Sequence, residues 1–99
     1  MPAVIFTRSA VLDLERVISF LQEKNCHAAR EARQRIGNIL QILERYPETG
    51  RPIQGKTATR VIVTGFGKCG YVLRYRIDHA GNVVILRIWH GKENRQKER

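Results

Sequence analysis

The spacing of the apolar residues changes near residue 50, and this change constrains the fold more than any other feature. Before it, apolar side chains recur every three to four residues, as on one face of a helix. After it, they alternate with polar residues, as in half-buried strands. The Pro- and Gly-containing segment 47–55 between the two halves predicts a loop. Helices packed against a sheet, an α+β fold, are therefore expected.

The first half predicts one strand and two helices. Val4-Ile5-Phe6 predicts a short first strand, and Ser9 is expected to cap the first helix. That helix is expected to end at Lys24-Asn25, because asparagine tolerates the left-handed conformation of a C-cap. A second helix is expected from about His27 to Tyr46. The apolar stripes of the two helices predict an antiparallel hairpin, with the stripes buried as core rather than left as a binding groove.

The second half predicts three strands. They are expected at residues 60–64, 71–78 and 83–89, with a turn at 79–82 before the last. Alternation in the last strand puts Val84, Leu86 and Ile88 on the face covered by the helices. The order β-α-α-β-β-β places a helical hairpin on one face of a mostly antiparallel sheet. The 99 residues form a single domain, 1–99, in which 92–99 is expected to be a flexible basic tail.

A glycine motif between the first two of these strands resembles a dinucleotide-binding fingerprint. Gly65-Phe-Gly67-Lys-Cys-Gly70 matches G-x-G-x-x-G, but the fingerprint requires a helix to begin there. The residues that follow alternate and favour a strand. We therefore interpret the motif as a hairpin loop with Lys68 exposed at its tip.

The chain carries no signature of a metal, a cofactor or a membrane segment. Cys26 and Cys69 stand alone, outside any metal-binding spacing, and are expected to be free thiols in a reducing cytosol. No catalytic Ser/His/Asp set, carboxylate pair or P-loop is present. The apolar runs are too short to span a membrane, and no signal peptide is visible, so a cytoplasmic location is expected.

Charge is distributed unevenly along the chain. There are 18 Lys and Arg against nine Asp and Glu, a net of +9. Residues 1–50 hold seven basic and six acidic side chains (+1), whereas residues 51–99 hold eleven basic and three acidic side chains (+8). A domain of this size does not need such a field to fold. The second half is therefore expected to bind a polyanionic or acidic partner.

Arginines on the predicted strands form the main candidate site. Alternation places Arg74 and Arg76 on the face opposite the apolar side chains, and Arg87 is expected to join them there. Arg60, which opens its strand, lies at the edge of this group. Arginine binds phosphate or carboxylate through two parallel hydrogen bonds. With two residues of the tail, the candidate anion- or target-binding residues are Arg60, Arg74, Arg76, Arg87, Lys92 and Arg95.

His90 closes the last strand and is open to two interpretations. Its ordinary pKa lies near neutrality, so it could act as a general acid or base. It could equally be a packed residue, because alternation places it with Ile88, toward the helices.

Several segments, taken in order, resemble toxins of the RelE/ParE superfamily. In the first half these are Asp13-Leu14, Ile18-Ser-Phe-Leu21 and the alanine-rich start of the second helix. In the second half they are Gly50-Arg51-Pro52, Arg60-Val-Ile-Val63, Tyr71-Val-Leu-Arg-Tyr-Arg-Ile-Asp78 and Val83-Val-Ile-Leu-Arg-Ile-Trp-His-Gly91. Each piece is short, but their order and spacing cover nearly the whole chain.

The resemblance implies a cytoplasmic toxin of a type II toxin–antitoxin system, of the kind associated with growth inhibition and plasmid stabilisation. A cognate antitoxin neutralises such a toxin, and an acidic antitoxin segment would wrap the basic half. Operator DNA would be bound only through the antitoxin.

Two targets are compatible with the resemblance. The last two strands look more like the ParE branch, whose members inhibit DNA gyrase and are not nucleases, so the chain is expected not to be an enzyme. No tyrosine follows Tyr75, and Glu93 stands where the RelE branch would place an arginine. The alternative is a ribosome-dependent mRNA endoribonuclease (an mRNA interferase). Arg60 would then hold the phosphate and His90 would move a proton, as in branches that place a histidine there.

A second alternative is a basic nucleic-acid-binding module without toxicity. It predicts binding that weakens steeply with salt, because phosphate contacts release counterions. Several of the seven aromatic residues lie at positions expected to face the core, so they offer no stacking platform for the bases of a single-stranded nucleic acid. Gyrase inhibition remains the favoured function.

Overall fold

A computed structural model of the chain describes residues 3–64 and 70–90; for Cys26 and Thr64 it describes the backbone alone. The helices are α1 (Arg8–Lys24) and α2 (Cys26–Arg45), followed by a short 3-10 turn at Pro47–Thr49. The strands are β1 (Val4–Phe6), β2 (Arg51–Pro52), β3 (Thr59–Thr64), β4 (Tyr71–Ile77) and β5 (Val83–His90). The α+β fold predicted from the sequence is confirmed.

The strands form one five-stranded sheet in the order β1-β5-β4-β3-β2. β1 pairs with β5 in parallel, Val4 opposite Val83, and the other pairs are antiparallel. The three predicted strands of the second half are therefore the centre of a wider sheet. β2 lies within the segment predicted as a loop, because two residues are too few to show alternation.

Thr7, and not Ser9, caps α1. Its Oγ1 accepts a hydrogen bond from the Ala10 N–H at 3.1 Å and donates to the Ile85 carbonyl at 2.9 Å. One hydroxyl thus starts the helix and ties it to β5, a role that local sequence preference alone does not distinguish from that of Ser9.

Asn25 serves both helices and is extended (φ −173°), not left-handed as predicted. Its N–H donates to the Leu21 carbonyl at 2.7 Å, and its side chain accepts from the His27 N–H at 2.8 Å. The turn between the helices is tight because one residue ends α1 and caps α2.

The core lies between the helical hairpin and one face of the sheet. Both predicted apolar stripes are buried in it, and their outer members line a shallow groove of about 450 Å³ between the helices. None of the helices described is long and apolar enough to cross a membrane. The fully buried large side chains are Tyr75, Leu43, Leu73, Ile85, Ile88, Val17 and Val83.

A bulge in β5 overturns the predicted alternation of that strand. Arg74 lies opposite Arg87, but Tyr75 lies opposite Ile85, so Leu86 has no counterpart on β4. The inward residues are Val83 and Ile85 before the bulge and Ile88 after it. Val84 and Leu86 therefore do not share the covered face with Ile88, because one extra residue inverts the phase of the strand.

Candidate functional site

The candidate site lies on the sheet face that the helices leave uncovered, here called the open face. Arg74 and Arg76 lie on it, as predicted. Their neighbours Leu73 and Tyr75 are buried against the helices, and successive side chains of a strand point to opposite faces. The register brings three rows of side chains together across the strands. These rows are Val61, Arg74 and Arg87; Val63, Val72 and Trp89; and Thr59, Arg76 and Val84.

Arg74 and Trp89 form the best-defined contact on the open face. The Arg74 guanidinium carbon lies 5.7 Å from the centroid of the Trp89 ring, within the range of a cation–π interaction. Trp89 is only 7% exposed, and no described residue accepts a hydrogen bond from its Nε1–H. An unpaired buried donor costs about 1–3 kcal/mol. Trp89 was not among the residues predicted for the site, although alternation from Ile88 places it on the face of Arg74.

Arg87 lies opposite Arg74 in the register, but its guanidinium is bonded to α1. Its Nε lies 2.6 Å from Oδ2 of Asp13 on α1, and its Nη2 lies 3.2 Å from Oδ1. The reason is that β1 pairs with β5 only up to Ile85, and α1 packs against the strand beyond that point. At this edge, which β1 does not reach, Arg87 can turn to the buried carboxylate of Asp13.

Asp13 and Arg16 replace a neighbouring strand along this part of β5. The Ile88 N–H donates to Asp13 Oδ2 at 2.9 Å, and Arg16 Nη2 donates to the Ile88 carbonyl at 3.1 Å. Arg16 Nη1 also lies 2.5 Å from Asp13 Oδ1. The two backbone groups that β1 leaves unpaired are thus satisfied by side chains. In the sequence, Asp13 shows only as a polar residue off the apolar stripe.

The Asp13 carboxylate predicts an acid-dependent loss of stability. Burial alone would raise the pKa of Asp13, but hydrogen bonds from Arg87, the Ile88 N–H and Arg16 lower it below its ordinary 3.8. A lowered folded-state pKa contributes stability that is present above the unfolded-state pKa and lost as the pH falls through the folded value.

We therefore expect the unfolding free energy of the wild-type chain to exceed that of Asp13→Asn by a constant amount above about pH 5, with the gap closing below about pH 4. Urea denaturation from pH 7 to pH 2.5 measures this difference. A gap that is independent of pH would mean that folding does not lower the pKa of Asp13.

Arg60 lies on the helix side of the sheet and not beside the open-face arginines. It pairs with the buried Tyr75, and its Nη1 donates to the carbonyls of Gly50 (2.7 Å) and Glu48 (3.1 Å). The Tyr75 hydroxyl accepts from the Gly50 N–H at 2.8 Å and donates to the Pro47 carbonyl at 2.7 Å. Burial raises the pKa of Tyr75. Both side chains hold the turn that enters β2.

His90 faces the helices, as alternation predicts. It is 4% exposed, with its ring 5.0 Å from the Tyr71 ring and 6.1 Å from the Phe20 ring, centroid to centroid. Across the register, His90 lies level with Thr64, four residues along β3 from Arg60. The two residues proposed for a nuclease are thus separated by about 13 Å along the strands alone.

Several predicted features lie outside the described residues. These are Lys92, Arg95 and the whole tail 92–99, and also Lys68, Cys69 and most of the glycine motif. β4 begins at Tyr71 and pairs antiparallel with β3, so a strand follows the motif, where the dinucleotide fingerprint would need a helix. Among the side chains described, no three His, Cys, Asp or Glu lie together in a group that could hold a metal ion.

Comparisons with known proteins identify the family. The sequence profile described as the ParE toxin of the type II toxin–antitoxin system parDE matches residues 4–95. A protein named Toxin RelE1, from Caulobacter vibrioides, is 37% identical over 92 residues, which cover 93% of this chain and 96% of that protein.

The fold is shared with a solved structure described as a chromosomal ParDE system from P. aeruginosa. The TM-score is 0.71 at 22% sequence identity, covering 91% of this chain and 96% of the other. With the profile matching nearly its whole length, this chain belongs to the ParE toxin family of type II toxin–antitoxin systems, within the RelE/ParE superfamily.

Proposed function

We propose that this toxin stops bacterial growth by binding and inhibiting DNA gyrase, and that it does not cut RNA. The carrying observation is the placement of Arg60 and His90. Arg60 is bonded to two backbone carbonyls of the 47–52 turn, and His90 is packed between Tyr71 and Phe20.

A nuclease needs its phosphate-binding and proton-transfer groups around one scissile phosphate. A general acid or base must come within hydrogen-bonding reach of the atom it serves, about 2.6–3.2 Å. Arg60 and His90 lie about 13 Å apart along the strands, and His90 is 4% exposed. This arrangement favours a toxin that acts by binding.

The open face is the surface proposed to bind a partner. Arg74 and Arg76 place two positive charges on this face, in the rows of Val61 and Thr59. Lys92 and Arg95 would add charge from the tail. Membership of a toxin–antitoxin family implies a cognate antitoxin. We propose that an acidic antitoxin segment covers this face in the cytoplasm, and that operator DNA is bound only through the antitoxin.

The proposal predicts that purified toxin blocks ATP-dependent supercoiling of relaxed plasmid by gyrase. Arg74→Glu/Arg76→Glu should lose inhibition, because each change replaces an attractive charge on the open face by a repulsive one. Arg30→Glu/Arg33→Glu, which makes the same charge change on the exposed surface of α2, is the matched control. Full supercoiling in the presence of excess folded, growth-inhibiting toxin would refute gyrase as the target.

The second candidate is a ribosome-dependent mRNA endoribonuclease. It is favoured by the relative of 37% identity, which bears the name Toxin RelE1. The discriminating assay is primer extension on mRNA recovered from a translating extract. Codon-positioned cuts that disappear in Arg60→Ala and His90→Ala, with both variants folded, would assign this activity in place of gyrase inhibition.

A further inference from the structure

Trp89 presents a buried hydrogen-bond donor on the same face as Arg74 and Arg76. Its indole is 7% exposed, and no described residue accepts from its Nε1–H. Buried polar groups in folded proteins nearly always have a partner, so a donor of this kind calls for an explanation. Trp89 lies in the register row of Val72, on the open face and away from the helical core.

Arg74 adds a positive charge beside that donor. Its guanidinium carbon lies 5.7 Å from the centre of the indole ring, and its side chain is half-buried. The guanidinium lies over the face of the indole ring. Its aliphatic side chain is flexible, so the guanidinium can move while the backbone of β4 stays in place. A group that displaces it sideways would meet two kinds of N–H donor, one of them charged. An oxyanion accepts from both donors and is also attracted by the positive charge, which a neutral acceptor is not.

The surroundings of Arg74 and Trp89 fit a carboxylate of a protein better than a phosphate of a nucleic acid. Apolar side chains flank the arginine rows, among them Val63, which is 57% exposed, and Ile5, which pairs with Val84 and is 44% exposed. A peptide with alternating acidic and apolar side chains matches these rows, whereas a phosphate backbone does not. The buried indole also cannot serve as a stacking platform for a base.

We propose that Arg74 and Trp89 together form a carboxylate-binding site for an acidic side chain of the antitoxin. This deepens, and rests on, the proposed role of the open face as the surface that the antitoxin covers. The carboxylate accepts from the Trp89 Nε1–H and from the Arg74 guanidinium. The flanking apolar rows receive the neighbouring apolar residues of the same segment.

The chain contains one tryptophan, so a single indole resonance reports on the site. We expect this resonance of ¹⁵N-labelled toxin to move downfield when the cognate antitoxin binds. The peptide acetyl-Leu-Glu-Val-Glu-Leu-amide should move it in the same direction, and its glutamine counterpart should not. An unmoved resonance in the antitoxin complex would overturn the proposal. A shift caused by dodecathymidylate but not by the antitoxin would assign the site to nucleic acid instead.

Affinity measurements test the two residues separately. Trp89→Phe keeps an aromatic ring but removes the N–H and part of the indole, and we expect it to weaken antitoxin binding about tenfold. Arg74→Gln should weaken binding about 10- to 100-fold, and Arg30→Gln, the same change on α2, less than about twofold. Equal effects of Arg74→Gln and Arg30→Gln would overturn the site. None of these measurements involves gyrase, so a failure of gyrase inhibition is detected independently.

Discussion

Replacing Asp13 by alanine is expected to lower the unfolding free energy by about 2–4 kcal/mol. The side chain is 4% exposed and accepts from Arg16, Arg87 and the Ile88 N–H. The arginine side chains are 44% and 37% exposed, so they can turn to water when the carboxylate is removed. The Ile88 N–H cannot, because Ile88 is fully buried, and the lost partner of this group dominates the cost.

Glu15→Ala is the matched control for Asp13→Ala. Glu15 lies on the same helix but is exposed, so its replacement should change the unfolding free energy by less than about 0.5 kcal/mol. Urea denaturation at pH 7 measures both variants, and amide hydrogen exchange should show faster exchange at Ile88 in Asp13→Ala. Equal stability of the two variants would mean that α1 does not secure the free part of β5 through Asp13.

Gly50→Ala is expected to destabilise the chain by roughly 2–5 kcal/mol. A Cβ at Gly50 would lie 2.5 Å from the Tyr75 hydroxyl oxygen and 2.7 Å from Cε1 of the ring. Tyr75 is fully buried and its hydroxyl bridges Gly50 and Pro47, so the ring cannot move away without breaking both hydrogen bonds. The 47–52 turn and the edge of the sheet should loosen together.

Two companion variants separate the causes of this loss. In Gly37→Ala the added methyl meets nothing within 4 Å, and we expect a gain of about 0.5–1 kcal/mol because glycine is unfavourable inside a helix. Tyr75→Phe removes both hydrogen bonds without adding a clash, and should cost about 1–2 kcal/mol. Thermal and urea denaturation report all three. A Gly50→Ala chain as stable as wild type would show that the turn is not packed against Tyr75.

Local pattern was sufficient to predict both α-helices and the longer strands. The apolar stripes of α1 and α2 and the alternation in β3 and β4 each depend on residues close together in the chain, so these elements were predicted within a few residues. The face of Arg74 and Arg76 followed for the same reason. β2 was missed, because two residues carry no period.

The arrangement of the site required information that a linear pattern does not contain. The bulge at Leu86 inverts β5, so Val83 and Ile85 replace Val84 as core residues. Arg60 and Arg87 have the same residue type and the same strand context as Arg74. Their directions differ because Arg60 faces the turn at Glu48–Gly50, and because Arg87 meets Asp13, which is 74 residues away in sequence.

The sequence by itself determined the α+β class, the helical hairpin, the family resemblance and the concentration of positive charge in the second half. The class, the hairpin and the charge are carried by composition or by short-range periodicity, and the resemblance is carried by short segments in their order. Only the tertiary structure decided that Arg60 turns to the 47–52 turn and that Arg87 turns to Asp13. The direction of Arg87 depends on where β1 ends and how α1 packs against β5, and contacts between such distant segments are set by packing and by the pairing of buried polar groups.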